Sequence, residues 1–593
     1  NSVNCIFNSS GATTAGLTPG SALLTVGNIY LVRVSTNETT ASISSNSTLF
    51  GFSITVTDPF IKGGRSNEVF RQTTLSGSNV LSYPWEITYG PDNKLWITES
   101  RGYKVHRMDP NTGAKTVTLD LSSGSNWLPS PLDSLNAVGI GSWNSSAGKW
   151  PQGGLAGLAI HPKFPDSSYV YVSYIHRYLS GSTAVKSGIY FRNKLVRFTY
   201  NAVSGKLGSP QIVCDSLPGS SDHNSQRIII AQNTGDTTYY LYYAEGDMGG
   251  GQFENRGRAN KAQNPASYEG KILRFNLSPD ADGGGNAWIP NDNPYNSNLG
   301  YQSAVYCIGI RNNQGFAFDT ANRILYGSSH GPYSDDEINI IESFRNYGHP
   351  LVIGFAADGN YNGTTAQPLN TSVSAGAPYT DNSGISSIAP IGNEMANKAA
   401  IDANGNGLYK DPLFSAYAVP NGDINTVGTI KYIWKNNPGN SFPAPGWPSE
   451  AWSGLDFYSN TLIPGWKSSL VAASLKWGRL VRLRLDGAGN GTAPSNAVSD
   501  TVTYFNSQNR FRDLAFSPDG KDIFVVMDNN STTSGPGSAN PVVPSCAGCV
   551  QKYTFLGYNS DVSGKSTISN AIDVAAGTAN ACQNGTTITI NYE

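Results

Sequence analysis

A strand–turn–strand pattern recurs six times along the middle of the chain and constrains its fold more than any other feature. In each copy, Pro, Asp, Asn or Gly residues separate two β-rich runs, and such an arrangement specifies a β-hairpin. Six copies at intervals of several dozen residues predict a six-bladed β-propeller, in which small antiparallel sheets repeat around a channel. A pair of β-sandwiches is the alternative, which the regular spacing disfavours. The copies read WEITYGPDNKLWITES, LAIHPKFPDSSYVYVSY, IIIAQNTGDTTYYLYYAEGD, FAFDTANRILYGSSHG, LIPGWKSSLVAASLKWGRLVRLRL and LAFSPDGKDIFVVMDNN.

Composition supports an all-β chain and excludes several classes of protein. Charged residues make up 14% of the 593 residues, well below the roughly 25% of an average soluble protein. With 65 Gly, 31 Tyr and 11 Trp, the chain suits short strands joined by many turns rather than a helical bundle. The net charge of −2 argues against nucleic acid as the main partner. No apolar run approaches the length of a membrane span.

Two zones flank the predicted propeller, which covers residues 76–558. Residues 1–75 and 559–593 are rich in Ser, Thr and Asn, and include the alternating stretches LLTVGNIYLVRV and TTITINYE. Period-two alternation predicts strands, so both zones are expected to be β-rich extensions. An uncharged terminal strand can pair with another chain. Assembly into a homo-oligomer or fibre through these strands is therefore a hypothesis.

The first residue and the cysteines bear on location. The chain begins with Asn1 rather than Met, and we interpret it as a processed form whose signal peptide has been removed. This predicts a secreted, periplasmic or cell-surface protein, in which disulfides can form. Cys546 and Cys549 are close enough for a small disulfide loop or for a zinc site, but no second Cys or His pair accompanies them. Cys5 and Cys582 could join the two ends, although their spacing does not fix the connectivity.

A few polar residues beside the hairpins are candidates for chemistry, because propellers carry function on the loops around their channel. His223 follows Asp222 just before a strand, and an imidazole beside a carboxylate suits a general base near neutral pH. The alternative is an ordinary histidine in a surface turn. Gln252 lies in a Gly-rich loop, where it could hydrogen-bond a polyol. The alternative there is a long flexible loop.

Charged residues farther along predict an anion site and a calcium site. Arg311 and Asn312 follow an apolar strand, and Gly331 and Pro332 begin a turn that continues into three carboxylates, Asp335 to Glu337. Such hard oxygen donors suit calcium, although a solvated acidic turn is the alternative. Three later cations that could converge on the channel would fit a small molecule with several carboxylates. These cations are Lys476, Arg510 and Arg512.

The order of these motifs resembles the soluble quinoprotein glucose dehydrogenases, within the wider glucose/sorbosone dehydrogenase family. The resemblance covers about residues 76–558 and is most specific in GPYSDDEINII, IRNNQG and NRFRD. It implies a six-bladed propeller that binds pyrroloquinoline quinone (PQQ) and calcium. It also implies that the protein oxidises the anomeric hydroxyl of an aldose to a lactone, with an electron acceptor that the sequence does not identify.

The resemblance also implies roles for individual residues around the sugar. His223 would be the base that takes the hydroxyl proton, and Asp222 would orient it. Arg311 would stabilise negative charge that develops on the quinone. Gln152, in the motif PQGGLAG, and Gln252 would hydrogen-bond the sugar.

Further roles concern the cofactors. The residues that would contact PQQ are Asn312 at the quinone and Lys476, Arg510 and Arg512 at its carboxylates. The carbonyls of Gly331 and Pro332 would bind the calcium that touches PQQ. A second, structural calcium would use Glu337 and Tyr347, together with carbonyls near Ile353 and Phe355. The sequence departs from the family there, because Ala357 stands where an aspartate is expected and Asp358 follows one place later.

Two other functions are compatible with parts of the sequence but fit it less well. A non-catalytic propeller that acts as a binding or structural protein would share the fold, but it would have little reason to retain the base, the cations and the calcium turn together. An NAD-dependent enzyme is disfavoured because no strand–GxGxxG–helix unit occurs.

Overall fold

The computed structural model describes most of the central part of the chain and short strands in the flanks. The residues described are 4–5, 30–31, 60–62, 68–122, 152–179, 189–220, 222–232, 235–250, 258–282, 287–296, 302–364, 390–418, 449–492, 501–505, 507–529, 546–558, 577–580 and 587–590. Gln252, which the sequence analysis singled out, lies outside them.

Strands make up nearly all of the regular structure in these ranges. Those of the N-terminal half are β1 (Asn4–Cys5), β2 (Tyr30–Leu31), β3 (Phe60–Lys62), β4 (Glu68–Ser76), β5 (Pro84–Tyr89), β6 (Leu95–Glu99), β7 (Lys104–Met108), β8 (Lys115–Asp120), β9 (Leu155–Ile160), β10 (Tyr169–Leu179), β11 (Ile189–Asn201), β12 (Lys206–Pro218), β13 (Ile228–Gln232), β14 (Tyr239–Glu245) and β15 (Lys271–Phe275). Those of the C-terminal half are β16 (Val305–Ile308), β17 (Asn313–Asp319), β18 (Ile324–Ser329), β19 (Glu337–Ile340), β20 (Arg345–Asn346), β21 (Leu408–Tyr409), β22 (Phe414–Ser415), β23 (Trp452–Tyr458), β24 (Ser469–Ser474), β25 (Arg479–Arg484), β26 (Thr501–Tyr504), β27 (Phe511–Phe516), β28 (Asp522–Met527), β29 (Val550–Tyr558), β30 (Gly577–Asn580) and β31 (Thr587–Ile590).

These strands form four regular four-stranded sheets and two larger ones. The regular sheets are β5-β6-β7-β8, β9-β10-β11-β12, β17-β18-β19-β22 and β23-β24-β25-β26. The larger ones are β13-β14-β15-β16-β20-β21 and β27-β28-β29-β4-β3. An all-β, propeller-like arrangement is therefore confirmed. The prediction of six regular blades is wrong: two of the sheets differ from a regular four-stranded blade, because their open outer edges accept extra strands. One of these edges pairs in parallel with β20.

Hydrophobic side chains fill the space between neighbouring sheets. One cluster packs Trp96 and Val105 of the first sheet against Val170 and Val172 of the second, and similar clusters join each later sheet to the next. A further cluster packs Ile87 against side chains of β28. The last sheet thus contacts the first, so the arrangement closes on itself and the innermost strands β5, β9, β13, β17, β23 and β27 surround a central channel.

Closure depends on a strand from the N-terminal side of the expected boundary. Strand β4 pairs antiparallel with β29, from Glu68 opposite Tyr558 to Ser76 opposite Val550. Phe70 of β4 is fully buried and lies 5.0 Å, ring centre to ring centre, from Phe505. The last sheet therefore includes β4 and, at its edge, β3 (Phe60–Lys62), both of which lie largely before residue 76.

A buried arginine joins several sheets inside the channel. The Arg227 guanidinium pairs with Glu86 of β5 and, at 2.9 Å, with Asp513 of β27, and its Nε donates to the carbonyl of Gln314 in β17. Burial raises the pKa of Glu86 to about 8, against the opposing effect of Arg227. A cavity of about 360 Å³ adjoins this group. The contacts hold the innermost strands in register and so fix the loops at their ends.

The remaining described elements are small. Helix α1 (Glu394–Ala403) is capped by Asn393, whose side chain accepts a hydrogen bond from the Ala396 amide at 2.9 Å. In the part of the chain that the structure describes, no helix has the length and apolarity needed to span a membrane. Cys546 and Cys549 form a disulfide, which confirms the predicted small loop. Because both sulfur atoms are in that bond, this pair does not form the alternative zinc site. The side chains of Cys5 and Cys582 lie outside the described residues.

The flanking strands pair locally. Strand β2 pairs with β1, and β31 pairs with β30. Assembly through these strands stays a prediction.

Candidate active site

The candidate residues lie at one end of the channel because of how the sheets are built. Residues just before an innermost strand and just after the second strand share one edge, since the two strands are antiparallel. His223 precedes β13 and Asp247 follows β14; His330 follows β18, and Arg510 precedes β27. The loops at this end therefore bring together residues that are far apart in sequence.

His223 is held in a defined orientation by a carboxylate. Its ring is buried and its Nδ1 lies 2.6 Å from Oδ1 of Asp247. Its other ring nitrogen, Nε2, makes no hydrogen bond within the described residues, and the nearest carboxylate oxygen, on Asp222, is 3.8 Å away. His223 also adopts a left-handed backbone conformation, with φ of 50°, which is uncommon for a non-glycine residue and concentrates at functional sites. The arrangement places the Nδ1 proton toward Asp247 and leaves Nε2 able to accept a proton.

Asp247 is a residue that the sequence analysis missed. Its Oδ1 accepts from His223 and from the Gly249 amide at 3.0 Å, and its Oδ2 accepts from His349 Nε2 at 2.8 Å and Asn260 Nδ2 at 3.0 Å. Burial alone would raise the pKa of Asp247, but the two facing histidines hold that pKa well below its usual range. Asp247 is thus a buried, ionised carboxylate. The available signal was its position in EGDMGGGQ, directly after a strand.

The close approach of β14 to His223 requires a glycine. A Cβ on Gly246 would lie 1.7 Å from the His223 carbonyl oxygen, which is a backbone atom that cannot move aside independently. Without this close approach, Asp247 could not reach the His223 ring from the next residue.

We expect the substitution Gly246→Ala to separate His223 from Asp247. A displacement of about 1 Å at a catalytic group can reduce the rate by about 100-fold, so we expect kcat for any reaction in which His223 takes part to fall by about that factor. The matched control is Gly208→Ala, because a Cβ at Gly208 meets no atom within 4 Å. Steady-state kinetics of the two variants checks the prediction, and equal activity in both would contradict it.

A hydrogen-bonded chain connects three loops beside His223. Asn312 donates from Nδ2 to Oε1 of Gln152 at 3.2 Å, and its Oδ1 accepts from the Ser225 hydroxyl at 3.0 Å. The Gln152 carbonyl accepts from Asn224 at 2.8 Å. Of the residues expected at the sugar and quinone, Gln152 and Asn312 are therefore in direct contact with each other.

Arg311 lies beside His330, a second residue that the sequence analysis did not single out. Arg311 donates from Nη1 to the His330 carbonyl at 3.2 Å. Burial lowers the pKa of His330 well below its usual value, and the nearby Arg311 guanidinium lowers it further. The Nε2 atom of His330 is buried without a hydrogen-bond partner in the described residues.

Two arginines share one carboxylate in the last sheet. Asp528 contacts Nη2 of Arg512 and lies 3.5 Å from Nε of Arg510. Burial lowers the pKa of Arg510 to about 10, and Asp528 opposes that effect. Arg512 also packs over the Trp85 ring at 4.1 Å, and its Nε is buried without a hydrogen-bond partner in the described residues. Asp528 thus holds two guanidinium groups beside each other.

Lys476 lies in the turn between β24 and β25. Its side chain is buried, and that burial lowers its pKa, while Asp336 and Glu450 oppose the effect. The Lys476 amide donates to the Glu450 carbonyl at 3.2 Å. Asp336 in turn accepts from the Glu450 amide at 2.6 Å and the Ser449 hydroxyl at 2.7 Å. Lys476 is therefore tied to the acidic turn that follows Gly331.

That turn is held by its own carboxylates. Asp336 accepts from the Gly331 amide at 3.1 Å, and a Cβ on Gly331 would lie 1.8 Å from the Ser334 carbonyl oxygen. Burial raises the pKa of Asp335 to about 6. The side chains of Asp335 and Asp336 are thus engaged inside the turn, next to the partly exposed Gly331 and Pro332.

The residues expected at a second calcium have other side-chain partners. Glu337 accepts from the Gly354 amide at 2.9 Å and from Asn339 at 3.0 Å, and burial raises its pKa to about 7. The Tyr347 hydroxyl donates to the Ile340 carbonyl and accepts from the Glu342 amide. Within the described ranges, no group of three or more His, Cys, Asp and Glu side chains is arranged to hold a metal.

Comparison with known proteins identifies the family. The family model "Glucose / Sorbosone dehydrogenase" matches residues 81–408 and 421–534. Quinoprotein glucose dehydrogenase B of Acinetobacter calcoaceticus is 31% identical over 467 residues, which cover 76% of this chain and 84% of that protein. Aldose sugar dehydrogenase YliI of Escherichia coli is 23% identical over 456 residues, which cover 76% of this chain and 88% of that protein.

A solved structure agrees at the level of the fold. A crystal structure of a glucose dehydrogenase aligns with a TM-score of 0.50 and 18% identity, over 83% of this chain and 99% of that one. At that identity the likeness concerns the fold alone. The family match and the relative from Acinetobacter carry the assignment: the chain belongs to the glucose/sorbosone dehydrogenase family of oxidoreductases.

Proposed function

We propose that this protein oxidises the anomeric hydroxyl of an aldose to a lactone, with PQQ and calcium as cofactors. The observation that carries the proposal is the orientation of His223, with Nδ1 held 2.6 Å from Asp247 and Nε2 left without a hydrogen bond in the described residues. Membership of a sugar dehydrogenase family supports the reaction type. The name of the quinoprotein relative from Acinetobacter supports the choice of a quinone cofactor.

His223 is the proposed general base. Its Nε2 takes the proton of the anomeric hydroxyl while the C1–H bond breaks and its electron pair leaves as hydride, so that the C1–O bond becomes a carbonyl. Asp247 fixes the ring and stabilises the imidazolium that forms, because it stays ionised in the buried site. Asp222 is too far from Nε2 for a hydrogen bond, at 3.8 Å, so we assign the orienting role expected of it to Asp247. A catalytic role for Asp222 stays a prediction.

The described residues fit a cofactor with several negative charges. Asp528 holds the guanidinium groups of Arg510 and Arg512 beside each other, and the buried Nε of Arg512 and Nε2 of His330 have no hydrogen-bond partner in the described residues. A bound tricarboxylate quinone would supply acceptors to the arginines and to Lys476. We place Arg311 and Asn312 at the quinone oxygens, where a cation and an amide donor can stabilise negative charge. PQQ, when bound, supplies the two-electron acceptor for the hydride.

Calcium fits the turn that begins at Gly331 through backbone carbonyls. Calcium takes oxygen ligands, carbonyls included, and the turn keeps the carbonyl-bearing Gly331 and Pro332 at its partly exposed edge. Asp336 anchors the Gly331 amide and so holds the turn in place. For the second calcium, Glu337 and Tyr347 remain a prediction, since both side chains already have partners.

The sugar would lie between His223 and the glutamines expected to bind it. Gln152 is partly exposed and its Oε1 is fixed by Asn312, so its amide NH₂ is oriented to donate to a sugar hydroxyl. The second expected glutamine, Gln252, falls outside the described residues, and its role stays a prediction.

We further propose an extracytoplasmic location. The Cys546–Cys549 disulfide is typical of proteins in oxidising compartments, and supports secretion or a periplasmic location.

The experiment that tests the function is reconstitution. The metal is removed with a chelator, PQQ is added with and without calcium, and dye reduction is followed with a panel of aldoses. We expect sugar-dependent reduction that requires both additions. If PQQ and calcium bind but no aldose is oxidised, the proposed reaction is wrong; if PQQ does not bind with calcium present, the non-catalytic propeller is the better account.

A further inference from the structure

A second histidine, His349, contacts the carboxylate that orients His223. It is buried, with 4% of its surface exposed, and its Nε2 lies 2.8 Å from Oδ2 of Asp247. The three side chains therefore form a continuous series in which one buried carboxylate joins two imidazoles. His349 is 102 residues from Asp247 in sequence, and nothing in the proposed reaction yet requires it.

The hydrogen-bond partners of His349 define its tautomer. Its Nδ1 is buried and has no hydrogen-bond partner in the described residues, so a proton there would be desolvated without compensation. Its Nε2 lies 2.8 Å from an ionised carboxylate oxygen of Asp247, which can only accept. It also lies 3.1 Å from Nδ2 of Asn260, which can only donate, but that amide already donates to the same Asp247 oxygen, and the shorter contact to a charged oxygen is the stronger one. The ring proton therefore resides on Nε2, and His349 donates to Asp247.

The backbone holds His349 in position from both sides. Its amide donates to the Gly309 carbonyl at 3.1 Å, and its carbonyl accepts from Nε2 of Gln263 at 2.8 Å. Asn260 donates to the same Oδ2 of Asp247 at 3.0 Å. Two fixed donors thus converge on one oxygen and prevent the carboxylate from rotating, which keeps Oδ1 aimed at His223.

We propose that His349 is a positioning residue for the general base: its Nε2–H fixes Asp247, and through Asp247 it fixes the orientation and tautomer of His223. The expected effect of His349 on the reaction rate rests on the proposed function, whereas its contact with Asp247 is present without substrate. Charged and titratable groups near the series are Asp222, which lies 3.8 Å from His223, and Arg311 and His330, which act on the histidines through their charge.

The principal variant is His349→Phe, which fills the site with a ring but removes the donor. Loss of such an indirect partner typically costs about 10–100-fold in activity, so we expect kcat to fall by that factor. We expect KM for the sugar to change by less than about twofold, because His349 does not touch the substrate. His349→Gln places an amide donor near the same position, and should restore kcat to within about threefold of the original.

The second readout does not depend on activity. The chain has six histidines, so selective ¹⁵N labelling gives six ring spectra, and the signal of His223 is assigned by its loss in His223→Ala. The short Nδ1–H bond to Asp247 should give a low-field proton signal. We expect this signal to disappear in His349→Phe and to persist in His349→Gln. A matched control is His106→Phe, because His106 is also buried and pairs with a carboxylate, Glu99, at 3.1 Å within the first sheet; it should leave the signal in place.

The unmutated chain supplies a test that no variant can obscure by misfolding. Its ¹⁵N shifts must show His349 protonated on Nε2 and not on Nδ1. The opposite tautomer would overturn the inference, as would an unchanged His223 signal in His349→Phe, whatever happens to kcat. If the unmutated protein with PQQ and calcium oxidises no aldose, the proposed function fails, but these spectra still decide the role of His349.

Discussion

Replacement of Asp247 by Asn is expected to lower kcat for sugar oxidation by a factor on the order of 10⁴, as loss of the ionised carboxylate does in a Ser–His–Asp triad. The Asn amide group can donate to Nδ1 of His223, which would move the ring proton to Nε2. The nitrogen that must accept the hydroxyl proton would then already carry one. Steady-state kinetics of the PQQ- and calcium-loaded variant measures the effect, and PQQ titration confirms that the cofactor still binds.

Two further variants show whether the loss of activity is specific to Asp247 or follows from removing the charge of any nearby or buried carboxylate. Glu99→Gln makes the same chemical change in the Glu99–His106 pair of the first sheet, and should leave kcat close to that of the original protein. Asp222→Asn alters the carboxylate that lies 3.8 Å from Nε2, and should cost far less than Asp247→Asn. If Asp222→Asn proves the more damaging of the two, the assignment of the orienting role to Asp247 is wrong.

Removal of the first 76 residues is expected to abolish stable folding, because it deletes β4. That strand supplies Phe70, and loss of a buried Phe side chain alone costs about 3–5 kcal/mol. It also supplies Glu68, whose carboxylate accepts from Trp466 Nε1 at 2.8 Å and from the Tyr504 hydroxyl at 3.1 Å. A domain is stable by only about 5–15 kcal/mol in total, and the deletion would also expose the edge of β29. Thermal unfolding followed by circular dichroism should show no cooperative transition.

The matched control for this deletion is a chain that begins at Gly64, which keeps β4 whole and removes nearly as much of the N-terminal zone. It should unfold cooperatively. If the chain that begins at Gly77 is as stable as the one that begins at Gly64, β4 does not close the arrangement. The chain that begins at Gly64 also tests assembly through the N-terminal zone. If it has the same oligomeric state as the full chain, residues before Gly64 do not mediate assembly.

The hairpins were predictable because local turn chemistry determines them. The turn from Gly90 to Lys94 between β5 and β6 and the turn between β27 and β28 each combine Pro, Asp and Gly or Asn with alternating strands. The fifth predicted copy, however, corresponds to β24 and β25, the second and third strands of their sheet. Its innermost strand, β23, lacks a clear pattern because Gly454 lies where a Cβ would be 1.9 Å from Asp513.

The added strands and the boundary could not be predicted locally. Strands β20 and β21 have two residues each and pair in parallel with distant chain segments, so no local alternation marks them. Strand β4 alternates clearly, but its partner β29 begins more than 450 residues later. Its membership of the last sheet depends on that long-range contact.

The candidate site shows the same limit. His223, Arg311, Lys476 and the two arginines stood out because rare or charged residues in a weakly charged chain are conspicuous. Asp247 and His349 did not stand out, because their roles depend on contacts with each other and with His223 that the sequence does not show. Asp247 is 24 residues from His223 and 102 residues from His349 in sequence. Only the packing of the loops at one end of the channel brings these side chains together.

The most direct measurement compares an ordinary aldose with one that carries deuterium at C1, using the protein loaded with PQQ and calcium. Transfer of hydride from C1, with His223 taking the hydroxyl proton, predicts that the deuterated sugar is oxidised several-fold more slowly in single-turnover experiments and that mass spectrometry detects the lactone. Dye reduction without lactone, or with no isotope effect at C1 in a single turnover, would contradict the proposed chemistry.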